Sequence, residues 1–170
     1  MVVDFPDKES EDNFLGKDFD VLREKTEHPL NILIGEDDVD LAEIYSEILT
    51  SRGHSVTLAF DGVQCFETYE TKQAETPFDV VVLDYLMPRI SGSATAKEIL
   101  QKNPNQRIIF ISAFGQKLLG DLEGIEEKIE FLTKPTKPTS LIEVIEKGHL
   151  WKTKSKKTTE NWDGNVEWND

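Results

Sequence analysis

The sequence is short of cysteine and of long apolar runs. Its 170 residues include a single cysteine, Cys65, which excludes an internal disulfide and a cysteine-rich zinc site. Cys65 follows a helix-like start at Asp61-Gly62, so we expect it to be a small core residue. No run approaches the ~20 apolar residues that cross a bilayer. The acidic N-terminus also lacks the basic and then apolar pattern of a signal peptide. We therefore expect a cytoplasmic protein with no membrane insertion.

Positive charge is also scarce. The chain carries 19 lysines and arginines against 33 aspartates and glutamates, which gives a formal net charge of -14. Proteins that bind nucleic acid neutralise phosphates with clustered bases. The composition therefore predicts no nucleic-acid partner.

The length and the charge pattern predict one domain between two extensions. Residues 1–29 form an acidic N-terminal extension, residues 30–151 carry the apolar pattern of a globular domain, and residues 152–170 form a tail with lysines and tryptophans. The tail is too short to be a second domain.

Strand-like and helix-like segments alternate through the central region. Short apolar segments predict strands at 31–35, 56–59, 80–84, 107–112 and 129–133. Apolar residues at helical spacing predict helices at 39–52, 61–72, 91–103, 116–127 and 138–151, the third of which begins at Ser91 or Gly92. This alternation is typical of an α/β fold, a doubly wound, five-stranded parallel sheet with helices on both faces.

Polar side chains lie at the carboxyl ends of four of the five predicted strands. Asp84 and Ser112 end the third and fourth strands, Lys134 follows the fifth, and three acids follow the first: Glu36, Asp37 and Asp38. Because the carboxyl ends of parallel strands meet at one edge, these groups should converge. Clustered carboxylates repel each other, and Mg²⁺ prefers carboxylate oxygens together with retained waters. A metal site with an additional carboxylate, a hydroxyl and an ammonium has the parts for phosphoryl transfer.

Four motifs in order resemble the receiver domain of two-component response regulators. They are Ile32-Leu33-Ile34-Gly35-Glu36-Asp37-Asp38, Leu83-Asp84-Tyr85-Leu86-Met87-Pro88 with Ser91-Gly92, Ile111-Ser112-Ala113, and Phe131-Leu132-Thr133-Lys134-Pro135. The resemblance covers residues 31–151 and implies a flavodoxin-like (βα)5 receiver fold. It also implies a phosphoprotein of a phosphorelay signal transduction system.

The resemblance assigns a Mg²⁺ site. Asp37 would bind the metal directly and Glu36 mostly through water, while Asp84 and the backbone carbonyl of Leu86 would complete the protein ligands. Three adjacent acids leave Asp38 as an alternative to Asp37. We favour Asp37, because Asp38 suits the N-cap of the first helix.

The resemblance also assigns the phosphoryl site. Asp84 would form the aspartyl phosphate, with a histidine kinase or a histidine phosphotransfer protein as donor. Lys134 would pair with the phosphoryl group, and Ser112 would donate its hydroxyl to it. Phe131 would be the aromatic switch that turns inward when Ser112 moves. Phe131 and Ser112 replace the commoner tyrosine and threonine.

The resemblance thus predicts a stand-alone response regulator, a monomer or weak homodimer that acts on a separate effector protein. Such a domain assists its own phosphotransfer and dephosphorylation and is not otherwise an enzyme. One alternative is a non-phosphorylated pseudo-receiver that serves as a binding module. Another is a Mg²⁺-dependent phosphatase with an aspartyl-phosphate intermediate. That class needs an Asp-x-Asp pair after the first strand, and Asp38-Val39-Asp40 has the spacing but falls in the first predicted helix.

Overall fold

The computed structural model describes residues 22, 24–113, 122, 124–125 and 129–147. The strands are β1 (Asn31–Gly35), β2 (Ser55–Ala59), β3 (Val80–Asp84), β4 (Arg107–Ser112) and β5 (Ile129–Thr133). The helices are α1 (Val39–Ser51), α2 (Gly62–Gln73), α3 (Gly92–Lys102) and α4 (residues 138–147). The tail from residue 152 lies outside the described residues. So do most of the N-terminal extension and most of the helix predicted at 116–127.

All five strands form one parallel sheet in the order β2-β1-β3-β4-β5. The predicted α/β fold is therefore confirmed, and only β2 begins a residue earlier than expected. The chain runs outward from β1 to β2 and then crosses back to β3. The neighbouring carboxyl ends of β1 and β3 are thus the point where the winding direction reverses, which is where open α/β sheets bind ligands.

The sheet has an apolar core on each face. All five residues of β3 are buried, because helices cover both sides of this central strand. One core contains Leu83, Phe110 and Cys65, and the other contains Ile34, Val82 and Ile111. Cys65 is fully buried, as predicted. None of the helices in the described part of the chain is long and apolar enough to cross a bilayer.

Side-chain caps begin three helices at the carboxyl edge of the sheet. Asp38, Asp61 and Ser91 each accept a hydrogen bond from the backbone N–H three residues later. Such caps satisfy N–H groups that have no partner inside the helix. The predicted N-cap role of Asp38 is therefore confirmed, and Gly53 follows α1 with φ of 99° as a glycine stop.

A cluster of polar side chains lies at the other edge of the sheet, where the amino ends of β1 and β2 are found. Arg52 donates to both carboxylate oxygens of Glu146, at 2.9 and 2.7 Å. His54 Nε2 lies 3.2 Å from Glu146 Oε1, and His54 Nδ1 accepts the N–H of Leu30 at 3.1 Å. The N–H of Thr26 donates to the carbonyl of Arg52 at 2.8 Å. This cluster ties α1, α4 and the segment before β1 together, away from the carboxyl edge.

Candidate functional site

Asp84 and Glu36 lie side by side at the point where the winding reverses. Asp84 is the last residue of β3, and Glu36 is the first residue after β1. Gly35 and Leu83 are register partners in the parallel pair, so the next residue on each strand carries one of the two acids. Glu36 is only 2% exposed, and Asp84 is 9% exposed. The sheet therefore holds two carboxylates together with little access to water.

Lys134 bridges these two carboxylates. Its Nζ donates to Glu36 Oε2 and to Asp84 Oδ2, at 2.8 Å in each case. Asp84 Oδ1 accepts the backbone N–H of Leu86 at 3.2 Å. The backbone N–H of Lys134 donates to the carbonyl of Ser112 at 2.9 Å, which fixes the start of the lysine loop against β4. Both oxygens of Asp84 thus face a donor from this chain.

A third acid completes a cluster that suits a hard cation. Glu36, Asp37 and Asp84 each offer one carboxylate oxygen, and these oxygens lie within 4.8 Å of one another. Asp37 is exposed, so the cluster opens to solvent on that side. Asp38 points its carboxylate at the N–H of Leu41 instead, at 3.1 Å. A set of oxygen donors of this kind fits Mg²⁺, which takes a few carboxylates and keeps several waters.

Burial and the contact between Lys134 and the acids shift the pKa values of Glu36 and Lys134. Burial raises the pKa of Glu36 to about 7; the hydrogen bond from Lys134 opposes this shift, and the nearby charge of Asp84 adds to it. Burial acts to lower the pKa of Lys134. Its hydrogen bonds to Asp84 and Glu36 outweigh that effect and raise the pKa above its usual value. The lysine therefore stays charged, and it is the counter-charge to the acidic cluster.

The other predicted residues lie around this centre. Ser112 is 1% exposed and ends β4, one residue beyond the register partner of Asp84. Leu86 is 58% exposed beside the acids. Phe131 lies on β5, and its ring stacks on Phe110 with centroids 5.8 Å apart. The structure thus gathers Glu36, Asp37, Asp84 and Lys134 directly, puts Ser112 at the adjacent strand end, and sets Phe131 against the core.

One residue beside the site, Gly92, was not among the predicted site residues, although it packs directly against Asp84. A Cβ on Gly92 would lie 2.1 Å from the carbonyl oxygen of Asp84, so only glycine lets α3 begin this close to the acid. The Ser91-Gly92 pair in the motif was the available signal.

Known proteins match both the sequence and the fold. The family model described as the response regulator receiver domain matches residues 32–146. Chemotaxis protein CheY of Thermotoga maritima is 31% identical over 118 residues, which cover 68% of this chain and 94% of that protein. The solved CheX-CheY-BeF3-Mg+2 complex of Borrelia burgdorferi contains a chain 28% identical to this one. It matches with a TM-score of 0.61 over 69% of this chain and 87% of that one.

Similar sequence also occurs inside much longer proteins. The hybrid signal transduction histidine kinase I of Dictyostelium discoideum is 31% identical over 122 residues. The match covers 69% of this chain but only 7% of that kinase. What is shared there is a single domain of a large protein.

Proposed function

The chain belongs to the response regulator receiver domain family, and from that premise we propose that Asp84 accepts a phosphoryl group from a histidine kinase or a histidine phosphotransfer protein. Domains of this family act in two-component signalling and are generally not classed as enzymes. The observation that carries the proposal is the 2.8 Å contact of Lys134 Nζ with Asp84 Oδ2 beside two further acids. A lone strand-end aspartate has no such set of charges around it.

The transfer is a substitution at phosphorus. A carboxylate oxygen of Asp84 attacks the phosphorus of a phosphohistidine, a P–O bond forms and the P–N bond breaks. The electron pair of the broken bond stays on the imidazole of the donor, which takes a proton from solvent. The ammonium of Lys134 binds the phosphoryl oxygens, and the hydroxyl of Ser112 donates to them. These fixed donors stabilise the charge that spreads over the transferred group.

The acidic cluster is where the family generally binds Mg²⁺. We assign direct binding to Asp37, water-mediated binding to Glu36, and the remaining protein ligands to Asp84 and the Leu86 carbonyl. The metal, when bound, offsets the carboxylate charges and attracts the phosphoryl oxygens. Asp38 is left out of the ligand set, because its carboxylate caps α1.

Phosphorylation then changes which contacts the site prefers. The new group adds about -1.5 to -2 charges and several acceptor oxygens. It shifts a conformational equilibrium only if one state binds those oxygens better. In our proposal the favoured state moves Ser112 toward the phosphate and turns Phe131 inward. The altered surface, which includes β5 and α4, is then recognised by a separate effector protein.

Phosphorylation from a small donor tests the proposal. The purified chain is incubated with acetyl phosphate and Mg²⁺, and intact mass is followed with time, in parallel with Asp84→Asn. We expect one phosphoryl group on the wild type, loss of that group in hydroxylamine, and no uptake by D84N. If the folded wild type takes up nothing, or if D84N is labelled equally, the phosphoacceptor role is wrong. A pseudo-receiver that serves as a binding module becomes the better reading if no label appears.

A comparative pull-down tests the partner proposal. Wild type and Asp84→Ala are used as baits with and without acetyl phosphate. A protein that binds the wild type only after phosphodonor treatment is the expected effector. Equal recovery under all four conditions would contradict phosphorylation-dependent binding.

A further inference from the structure

The loop that joins β3 to α3, residues 85–91, lies against Asp84. The backbone N–H of Leu86 donates to Asp84 Oδ1 at 3.2 Å, and the carbonyl of the same residue is a proposed metal ligand. The N–H of Gly92 donates to the carbonyl of Tyr85 at 3.0 Å, so the two ends of the loop are tied together. In a loop closed in this way, a displacement of the second half is passed on to the first half, which includes Leu86.

The first half of the loop is anchored in the apolar core. The side chains of Tyr85 and Met87 are buried and belong to the core that contains Leu83 and Phe110. The Tyr85 ring packs against the Phe110 ring, with centroids 6.0 Å apart. Leu86 lies between these two anchors, with its side chain exposed. The core therefore supports the loop as far as Met87.

The second half of the loop has a different support, which is the start of α2. Gly62 is the first residue of α2 and is buried. A Cβ on Gly62 would lie 2.1 Å from the carbonyl oxygen of Ile90 and 2.7 Å from Thr95 Oγ1. Only glycine lets α2 meet the backbone of the loop this closely. Beside this contact, Asp61 Oδ2 lies 3.6 Å from Arg89 Nη1.

The backbone of Arg89 shows that this half of the loop is under constraint. Its φ is 67°, and no other non-glycine residue in the described part of the chain has a positive φ. Such a conformation is sterically costly for an L residue and persists where surrounding contacts impose it. The Arg89 side chain is 65% exposed, so its ion pair with Asp61 contributes little. The buried contact of Gly62 with the Ile90 backbone is therefore the stronger support.

We propose that Gly62 is a positioning residue for phosphotransfer: its lack of a side chain lets α2 hold the loop where the Leu86 backbone meets Asp84. The inference rests on the proposed phosphoacceptor function of Asp84. Gly62 contacts the loop and not the reacting carboxylate, so its effect is carried by the loop. A misplacement of about 1 Å that starts away from the reacting atoms can slow a reaction by about a hundredfold.

Gly62→Ala tests the proposal, with Gly53→Ala as its control. Gly53 follows α1 with φ of 99° and has no atom within 4 Å of its Cβ position, so alanine there is strained without touching the loop. We expect G62A to slow phosphoryl uptake from acetyl phosphate by about tenfold. We also expect it to raise the dissociation constant for Mg²⁺, measured by calorimetry, by about threefold or more. G53A should lower the midpoint of urea unfolding and leave both quantities at their wild-type values.

A second pair of variants displaces the loop from its exposed side, and it carries the test if G62A does not fold. Arg89→Gly and Arg89→Val both remove the ion pair with Asp61. Glycine accepts a φ of 67°, whereas a β-branched residue strongly disfavours it. We expect R89V to slow uptake and weaken Mg²⁺ binding as G62A does. R89G should stay within about twofold of the wild type in both measurements, because the lost ion pair is exposed.

The metal-free, unphosphorylated protein gives a readout that is independent of the proposed function. The backbone amide resonance of Leu86, whose N–H donates to Asp84, should shift more in G62A than in G53A and more in R89V than in R89G. If the wild type takes up no phosphoryl group, the proposed function fails, and this resonance and the Mg²⁺ affinity still report whether Gly62 holds the loop.

Three results would overturn the inference. One is a Leu86 resonance or a Mg²⁺ affinity in folded G62A that equals that of G53A. Another is phosphoryl uptake by folded G62A as fast as by G53A, when the wild type is labelled. The third is the same Mg²⁺ affinity and the same Leu86 resonance in R89V and R89G.

Discussion

The backbone N–H of Lys134 donates to the backbone carbonyl of Ser112 at 2.9 Å. This bond continues the pairing of β4 with β5, whose last register pair is Ser112 with Thr133. The two residues that we assign to the phosphoryl oxygens are thus connected through the main chain. A displacement at the end of β4 therefore reaches the lysine directly.

Removing the lysine charge should slow phosphotransfer strongly. We expect Lys134→Ala to lower the rate of uptake from acetyl phosphate by about a hundredfold, the scale seen when one fixed donor to a developing charge is lost. Lys102→Ala is the control, because Lys102 forms an ion pair with Glu70 on an exposed surface, at 2.8 Å. Time courses of intact mass give both rates. Equal rates for K134A and K102A would contradict the role of Lys134.

Substitutions of Asp37 and of Asp38 should affect different properties, Mg²⁺ binding for the first and stability for the second. We expect Asp37→Asn to weaken Mg²⁺ binding by about tenfold or more, because it removes a charged oxygen from the cluster. Asp38→Ala should leave Mg²⁺ binding nearly intact and lower the free energy of unfolding by about 1 kcal/mol, through loss of the α1 cap. Calorimetric titration with Mg²⁺ and urea unfolding measure the two quantities. The reverse pattern would make Asp38 the ligand.

Gly92 should tolerate no side chain. A Cβ there would lie 2.1 Å from the carbonyl oxygen of Asp84, so Gly92→Ala has to move α3 or the end of β3. We expect a loss of about 3 kcal/mol in unfolding free energy and slower phosphoryl uptake. Gly53→Ala is the comparison, because its φ of 99° strains alanine although no atom lies within 4 Å. It should cost about 1–2 kcal/mol and leave uptake unchanged. Wild-type uptake by a folded G92A protein would show that the close approach does not matter for the site.

Acidification should weaken the polar cluster at the opposite edge. Burial lowers the pKa of His54 below its usual 6.5. The hydrogen bond and the charge of the Glu146 carboxylate act in the other direction and only partly offset this shift. Because His54 Nδ1 accepts the Leu30 N–H, protonation of that nitrogen breaks this bond. The unfolded chain then binds more protons than the folded one, so stability is full above pH 6.5 and falls as the pH drops toward the folded pKa of His54.

Urea unfolding at a series of pH values measures that effect. We expect His54→Asn, which does not titrate, to lose less stability than the wild type when the pH falls from about 7 to 5. Comparing the two proteins at each pH cancels the contribution of the other titrating groups. Parallel curves for the two proteins would show that His54 does not contribute to the acid sensitivity.

The fold was largely predictable, because its signals are local. The run Val80-Val81-Val82-Leu83 is apolar and mostly β-branched, which indicates a strand covered on both faces, and the structure buries all of β3. The caps at Asp38 and Asp61 are also local signals, and both form. Strand order follows from the side on which each connection crosses. Local residue patterns do not specify that side, and the strand order was indicated only by the family resemblance, which implies the flavodoxin-like order.

The convergence of the acids and the lysine was predictable from the sequence, and their individual contacts were less so. Strand ends at one edge bring Glu36, Asp84 and Lys134 together in any parallel sheet of this order. The family motifs pair Lys134 with the phosphoryl group, and they did not predict that its ammonium contacts Glu36 as closely as Asp84, at 2.8 Å in each case.

The lone thiol of this protein has a practical consequence. Cys65 is fully buried, and burial raises its pKa to about 12, so almost no thiolate is present at neutral pH. A dye or spin label can therefore be attached to a cysteine introduced on the surface while Cys65 stays in place. Cys65 itself becomes reactive only when the core opens, so its rate of alkylation reports opening of the native state under each set of conditions.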